Sequence, residues 1–279
     1  MPPKIFLCSD LDRTLLPNGS CPESPDARKR LRLLSERPEI TLAYVSGRNR
    51  QLLQAAIETY QIPVPDYAVG DVGTSIFRIQ DGDWRPLTTW EERIAPSWNG
   101  RRHDQLSVLL SGIDKLTLQE PENQSPFKLS YYAPPDLDYG RWIDTMQGRL
   151  KGEGVKASLI WSIDEEKNRG LLDVLPENAT KYHAIRFLMQ HNGFHSKATV
   201  FAGDSGNDLP VLTSELQTVL VANAAENIRQ QASKMVEIKG IADTLYCAKG
   251  GFLGMNGNYS AGVIEGLVHF IPQAIQWLE

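Results

Sequence analysis

Two short apolar runs, each followed by a stripe of apolar residues at helical spacing, fill the first sixty residues of the chain. Residues 5–9 are bounded by polar residues and are too short for a helix, so they read as a fully buried strand. Ser24-Pro25 offers an N-cap with proline at the first helical position, and Leu31 and Leu34 supply a helical stripe. Residues 40–45 form a second buried run, after which Leu52, Leu53, Ala56 and Ile57 recur at helix spacing. This strand–helix–strand–helix order predicts an α/β fold, a parallel sheet with helices on both faces. The same alternation returns late: Ile185, Leu188 and Met189 mark a helix and 198–202 a strand, 209–212 a short helix and 218–222 a strand. Val263, Ile264, Leu267 and Val268 mark a last helix.

The middle has another texture. Trp90, Trp98, Trp142 and Trp161 fall there, together with Pro121, Pro126, Pro134 and Pro135. Residues 127–132 alternate like a half-exposed strand, 137–150 suit a helix, and 155–163 with 170–175 suit a strand pair. The expectation is an α+β domain, residues 88–175, inserted into a core made of residues 1–87 and 176–279.

A chain of 279 residues needs neither disulfide nor structural zinc to bury a core. Its formal charge of −5 speaks against a nucleic-acid groove. The three cysteines, Cys8, Cys21 and Cys247, form no C-x-x-C pair, and an odd number fits a reducing compartment. Cys8, inside an apolar run, reads as a small core residue. The apolar run after Met1-Pro2-Pro3-Lys4 is over by Asp10, shorter than the roughly 7–15 residues of a secretory segment. No later run approaches a membrane span of roughly 20 residues. A cytoplasmic protein is expected, monomeric by default since no coiled-coil stripe or extended apolar face is visible.

The chemistry-bearing residues stand where the strands end. The first run closes on Ser9-Asp10-Leu11-Asp12-Arg13-Thr14, at the sheet edge where α/β folds bind ligands. Alternation puts Asp10 and Asp12 on one side. Two carboxylates so close require a cation, or one of them holds a proton. A second cluster, Gly203-Asp204-Ser205-Gly206-Asn207-Asp208, follows another strand. Together they would form a hard, oxygen-rich site, and Mg²⁺ is the cation that suits it.

These segments resemble the four ordered motifs of the haloacid-dehalogenase (HAD) superfamily: Asp10-Leu11-Asp12-x-Thr14, Val45-Ser46-Gly47-Arg48, Lys181 and Gly203–Asp208. The resemblance implies a Rossmann-like core and a role for each residue. Asp10 would be the nucleophile that forms an aspartyl-phosphate, and Asp12 the general acid/base. Mg²⁺ would be held by Asp10, the Asp12 backbone carbonyl and Asp204, with Asp208 acting through water or from behind. Ser46 and Lys181 would bind the phosphoryl oxygens, with Thr14, Gly47, Arg48 and Asn207 as further substrate-binding positions. Arg13 stands where the superfamily more often has Gly or Asn, and Lys167 is a weaker rival to Lys181 in a charged run that suits a hairpin tip.

A finer resemblance, to the sucrose-phosphate phosphatase family, covers nearly the whole chain. It rests on 42–48, 127–132, 172–176, 203–208 and 261–270. It implies an Mg²⁺-dependent hydrolysis of a sugar phosphate monoester, sucrose 6-phosphate first. Mannosylfructose phosphate, glucosyl- or mannosylglycerate phosphate and trehalose 6-phosphate remain open, as does a phosphosugar mutase. Lys128, Tyr131 and Asp173 become candidate sugar contacts from the cap, and Asn223 a contact from the core. An upstream sugar-phosphate synthase is the expected functional partner. A non-catalytic sensor would lack Asp10 or Asp12, and both are present. Gly203-Asp204-Ser205-Gly206 also begins a serine-protease signature, but the match breaks at Asn207 and that fold is all-β. The Gly-rich stretch 248–258 departs from the family; it reads as a loop over the site or a long surface connection, and no strand precedes it as a dinucleotide fingerprint requires.

Overall fold

A computed structural model describes residues 4–136, 139–164 and 167–279. Residues 137 and 138 of the expected cap helix, and Glu165 and Glu166 of the expected hairpin tip, lie outside the described residues, as do residues 1–3.

Twelve strands make two sheets among the described residues. The larger takes β1 (Ile5–Ser9), β2 (Ile40–Val45), β3 (Tyr67–Gly70), β4 (Ser75–Gln80) and β5 (Asp83–Pro86) from the first part of the chain. The smaller is β6 (Thr117–Leu118), β7 (Leu129–Ala133), β8 (Ala157–Asp164) and β9 (Arg169–Pro176). The late part returns β10 (Thr199–Gly203), β11 (Gln217–Leu220) and β12 (Leu245–Cys247) to the larger sheet. Its order is β12-β11-β10-β1-β2-β3-β4-β5. Pairings from β12 to β3 are parallel, as expected, while β4 and β5 extend one edge as an antiparallel hairpin that the helix-period reading did not anticipate.

Strand parity explains the layering. On β1, Ile5 and Leu7 face one apolar cluster and Phe6 and Cys8 the other, all at most 1% exposed. The first cluster takes Leu31 and Leu34 of α1 (Ala27–Ser35), Leu53 and Ala56 of α2 (Arg50–Tyr60) and, from the end of the chain, Val263 and Leu267 of its last helix. The second takes Trp90 and Ile94 of α3 (Thr88–Ile94). Beyond it, α4 (His103–Leu109) and α5 (Tyr139–Gly152) pack on the smaller sheet through Leu106, Met146 and Leu150. The second cluster continues with Ile185 and Leu188 of α6 (Lys181–Asn192), Val211 of α7 (Leu209–Leu212) and the partly buried Ile228 of α8 (Glu226–Ile238). The last helix is α9 (Ser260–Phe270). A strand buried on both faces has to be apolar at every position, which is why 5–9 and 40–45 read as runs rather than alternations.

Ser24 is not the N-cap of α1. The helix starts at Ala27 after a turn closed by Ala27 N–H on the Ser24 carbonyl, and the Ser24 hydroxyl instead accepts from Asn256 N–H at 2.9 Å. A partner 232 residues away outcompetes the local cap, which no local pattern shows.

Candidate active site

The site forms where β1, β2 and β10 end side by side. Asp10 follows β1, Asp204 follows β10, and Lys181 opens α6; all three are at most 4% exposed. Lys181 Nζ donates to Asp10 Oδ1 at 2.8 Å, Asp208 Oδ1 at 2.8 Å and Asn207 Oδ1 at 2.9 Å. Asp10, Asp204 and Asp208 each offer a carboxylate oxygen within 4.8 Å of the others. Thr14 Oγ1 donates to Asp204 Oδ1 at 3.0 Å and lies 3.5 Å from Asp10 Oδ2.

Local chemistry sets these side chains. Asp208 closes a short turn over Gly206–Asp208, its Oδ2 accepting from the backbone N–H groups of Asp204 and Ser205, each at 3.1 Å. Gly203 is required there: a Cβ would stand 2.7 Å from Asp208 Cγ and Oδ2. Around β2, Ser46 is fully buried, its N–H donating to Val69 O at 2.9 Å and its Oγ accepting from Arg48 N–H at 3.2 Å. Gly47 and Arg48, with Asp10 and Asp12, border a cleft of about 430 Å³, which Ser46 does not line.

Electrostatics follow from burial. Desolvation first, then Asp208 and Asp12, push the Asp10 carboxyl up to about 7, although Lys181 pulls it down. Asp204 is raised by the same causes, desolvation foremost and then Asp10 and Asp208. Burial would lower Lys181, but Asp10 and Asp208 hold its ammonium protonated well beyond the usual lysine range. Asp10 and Asp208 share the Lys181 ammonium and Asp204 has the Arg13 guanidinium 3.7 Å away, so three buried carboxylates face two cations, and a divalent cation such as Mg²⁺ fits their hard oxygen donors.

Asp12 stands apart. Its carboxylate is outside the three-acid cluster and takes Arg48 bidentately, Nη2 to Oδ1 at 2.6 Å and Nε to Oδ2 at 2.8 Å, with Asn18 Nδ2 on Oδ1 at 2.7 Å. Burial would raise its pKa, but these bonds hold it below the ordinary value. Arg48, expected as a substrate-binding position, is therefore engaged with Asp12.

The smaller sheet closes the cleft from above, but not with every residue expected. Lys128 borders it, with Nζ on Asn123 O at 2.9 Å and 3.9 Å from Asp173 Oδ1. Asp173 lies behind Lys128, accepting from Ser130 Oγ at 2.5 Å. Tyr131 does not reach the cleft. It is 6% exposed among Trp98, Leu129 and Leu172, and burial raises its hydroxyl to about 12. Tyr132 faces the cleft instead, with the Arg169 guanidinium 3.9 Å from its ring centroid and Glu120 accepting from its hydroxyl. Asn223 does not reach it either, because its amide is spent on the backbone: Nδ2 donates to Arg13 O, and Oδ1 accepts from Tyr259 N–H at 2.8 Å. Arg13 Nε lies 3.7 Å from Asp204 Oδ2 at the cleft wall, and Lys167 stands at the mouth, 4.0 Å from Asp164.

Asn18 and Asp71 went unread in the sequence. Asp71, 6% exposed, follows β3 in a left-handed turn (φ 52°), and its Oδ2 accepts from Ser75 Oγ. The signal available for it was Gly70-Asp71 directly after a buried strand. The stretch 248–258 is anchored by Glu265 of α9, whose carboxylate accepts from Tyr246 Oη and from Lys249 and Gly250 N–H, while Asn256 and Asn258 donate to Pro22 O.

The acidic trio and the buried lysine, gathered at one edge of the parallel sheet in this chain order, match the arrangement of the haloacid-dehalogenase superfamily. The family model described as sucrose-6F-phosphate phosphohydrolase matches residues 3–271, and the chain belongs to that family of phosphoric monoester hydrolases. A HAD-like hydrolase of Nitrosococcus oceani is 54% identical over all of this chain and 75% of its own. Sucrose-phosphatase 1 of Nicotiana tabacum is 27% identical over 96% of this chain, which spans 59% of that protein. The sucrose-phosphatase of Synechocystis, solved with sucrose and phosphate, superposes with a TM-score of 0.76 at 24% identity, over 96% of this chain and 98% of that one. No helix among the described residues is long and apolar enough to cross a membrane.

Proposed function

We propose that the chain is a Mg²⁺-dependent phosphatase of a sugar phosphate monoester, with sucrose 6-phosphate as its first candidate substrate. The observation that carries the reading is Lys181 Nζ held 2.8 Å from both Asp10 and Asp208, beside the third buried carboxylate of Asp204. Asp10, Asp204 and Asp208 would hold the cation, which supplies positive charge against the phosphate and the attacking carboxylate.

The rest is chemistry of the chain itself. Lys181 fixes Asp10 Oδ1, leaving Oδ2 to attack phosphorus. The bond from phosphorus to the sugar oxygen breaks, its electron pair goes to that oxygen, and Asp12 supplies the proton. A water then loses a proton to Asp12 and attacks the aspartyl-phosphate, releasing phosphate and the Asp10 carboxylate. Asp12 must be protonated when substrate binds, and Arg48 opposes this in the free enzyme. An entering phosphate dianion competes for the guanidinium and adds negative charge beside Asp12; both changes raise its proton affinity. The smaller sheet, with α4 and α5 packed on it, acts as a cap, while α3 (Thr88–Ile94), expected in the inserted stretch, packs through Trp90 and Ile94 on the larger sheet. Lys128 presents donors to sugar hydroxyls, Tyr132, whose O–H is given to Glu120, presents its hydroxyl oxygen as an acceptor, and Asp173 supports Lys128 from behind.

Phosphate release, measured with Mg²⁺ over sucrose 6-phosphate, mannosylfructose phosphate, trehalose 6-phosphate, glucosylglycerate phosphate and hexose phosphates, tests the substrate. A preference for sucrose 6-phosphate is expected; a monosaccharide phosphate turned over faster than every disaccharide phosphate overturns it.

A further inference from the structure

Asn18 uses both ends of its amide on the turn that follows the first motif. Its Oδ1 accepts from Arg13 N–H at 2.8 Å, and its Nδ2 donates to Asp12 Oδ1 at 2.7 Å. A backbone N–H can only donate, so the amide oxygen must face Arg13 and the NH₂ must face the carboxylate. Arg13 stands in the left-handed region at φ 58°, which a non-glycine residue keeps only where its surroundings hold it. Asn223 holds the other side of the same residue, donating to its carbonyl oxygen.

The Asp12 carboxylate is loaded unequally. Oδ1 accepts from both Arg48 Nη2 and Asn18 Nδ2, whereas among the described residues Oδ2 accepts only from Arg48 Nε. If a phosphate dianion draws the guanidinium away, Asn18 keeps its bond to Oδ1 and Oδ2 is released. We propose that Asn18 is the positioning residue of the proton donor: it anchors Asp12 Oδ1, so that Oδ2 is the oxygen turned towards the leaving group. The inference rests on the reading of Asp12 as general acid/base.

Two aryl esters of similar shape test it without reference to the sugar. Phenolate is a poor leaving group and needs a proton, while p-nitrophenolate leaves readily without one. With Mg²⁺ present, Asn18→Ala is expected to lower kcat/KM, which covers only the steps up to the phosphoenzyme and so leaves out the water attack that Asp12 also serves, by about 10-fold or more on phenyl phosphate and by less than about 3-fold on p-nitrophenyl phosphate. Asn18→Asp keeps the acceptor for Arg13 N–H but removes the donor to Asp12 Oδ1, so it should show the same selective loss as Asn18→Ala. Equal losses on the two esters, or an Asn18→Asp enzyme as active as wild type, overturn the positioning role and leave Asn18 a loop residue. Asp12→Asn is the control. A selective loss on phenyl phosphate upholds the general acid, so that failure of the Asn18 variants then falls on Asn18 alone. A uniform loss removes the general-acid reading and the positioning role with it.

Discussion

Lys181 Nζ stands 2.8 Å from Asp10 Oδ1, joining the end of β1 to the first turn of α6 across 171 residues of sequence. The same ammonium reaches Asp208 beyond β10, so one side chain ties together three separate segments of the site. Lys181→Met is expected to lower kcat by at least about 100-fold, since the charge that offsets the phosphate is lost. Without Mg²⁺ it should also destabilise the fold by about 3–5 kcal/mol, because the buried carboxylates of Asp10 and Asp208 lose their cation. Thermal melts and phosphate release check both, and added Mg²⁺ should recover stability more than activity.

The metal-free protein should be less stable at neutral pH than in mild acid. Burial, with Asp208 and Asp12 beside it, raises Asp10 to about 7, whereas an unfolded aspartate releases its proton near about 4. Between these values the folded chain binds more protons than the unfolded one, so stability falls as pH rises through the window. Mg²⁺, held as proposed, would bind the deprotonated acids. The rise in Tm it causes should therefore be larger at about pH 8 than at about pH 5. An equal rise at both would count against the raised carboxyls.

Gly203→Ala should damage the site through shape alone. The added Cβ meets Asp208 2.7 Å away, and Asp208 cannot retreat without giving up the N–H groups of Asp204 and Ser205. A loss of about 1–3 kcal/mol in denaturant melts is expected, with a lower apparent affinity for Mg²⁺ in activity titrations.

Glu265 supports the loop rather than the chemistry. Glu265→Ala strands the N–H groups of Lys249 and Gly250 and the hydroxyl of Tyr246. About 1–3 kcal/mol of stability should be lost. Limited proteolysis should then cut within 248–258, while kcat on p-nitrophenyl phosphate stays near that of wild type.

Much of the fold was legible in the sequence because its central strands are buried on both faces, which forces unbroken apolar runs that end on the chemistry: Asp10 after β1 and Asp204 after β10. Parity also bears on the cap contacts. Lys128 and Tyr131 are three apart, an odd spacing that sets them on opposite sides of an extended strand, so Tyr132 rather than Tyr131 accompanies Lys128 at the cleft. The bonds of Asn223 to Arg13, of Arg48 to Asp12 and of Asn256 to Ser24 span 36 to 232 residues. Such pairs arise only when the sheet brings its edges together, and no local spacing carries them. Asn18 was closer to hand, but an asparagine in a polar loop reads as turn chemistry until its partner is known.

The nucleophilic role of Asp10 is tested most directly by acid-quenching the enzyme during turnover of a substrate labelled in its phosphate, then mapping the label by peptide mass spectrometry. An alkali-labile phosphoryl group is expected on the peptide carrying Asp10 and absent from Asp10→Asn, which should release no phosphate while melting as a folded protein. Label on another residue, or an Asp10→Asn enzyme that turns over like wild type, would contradict that role.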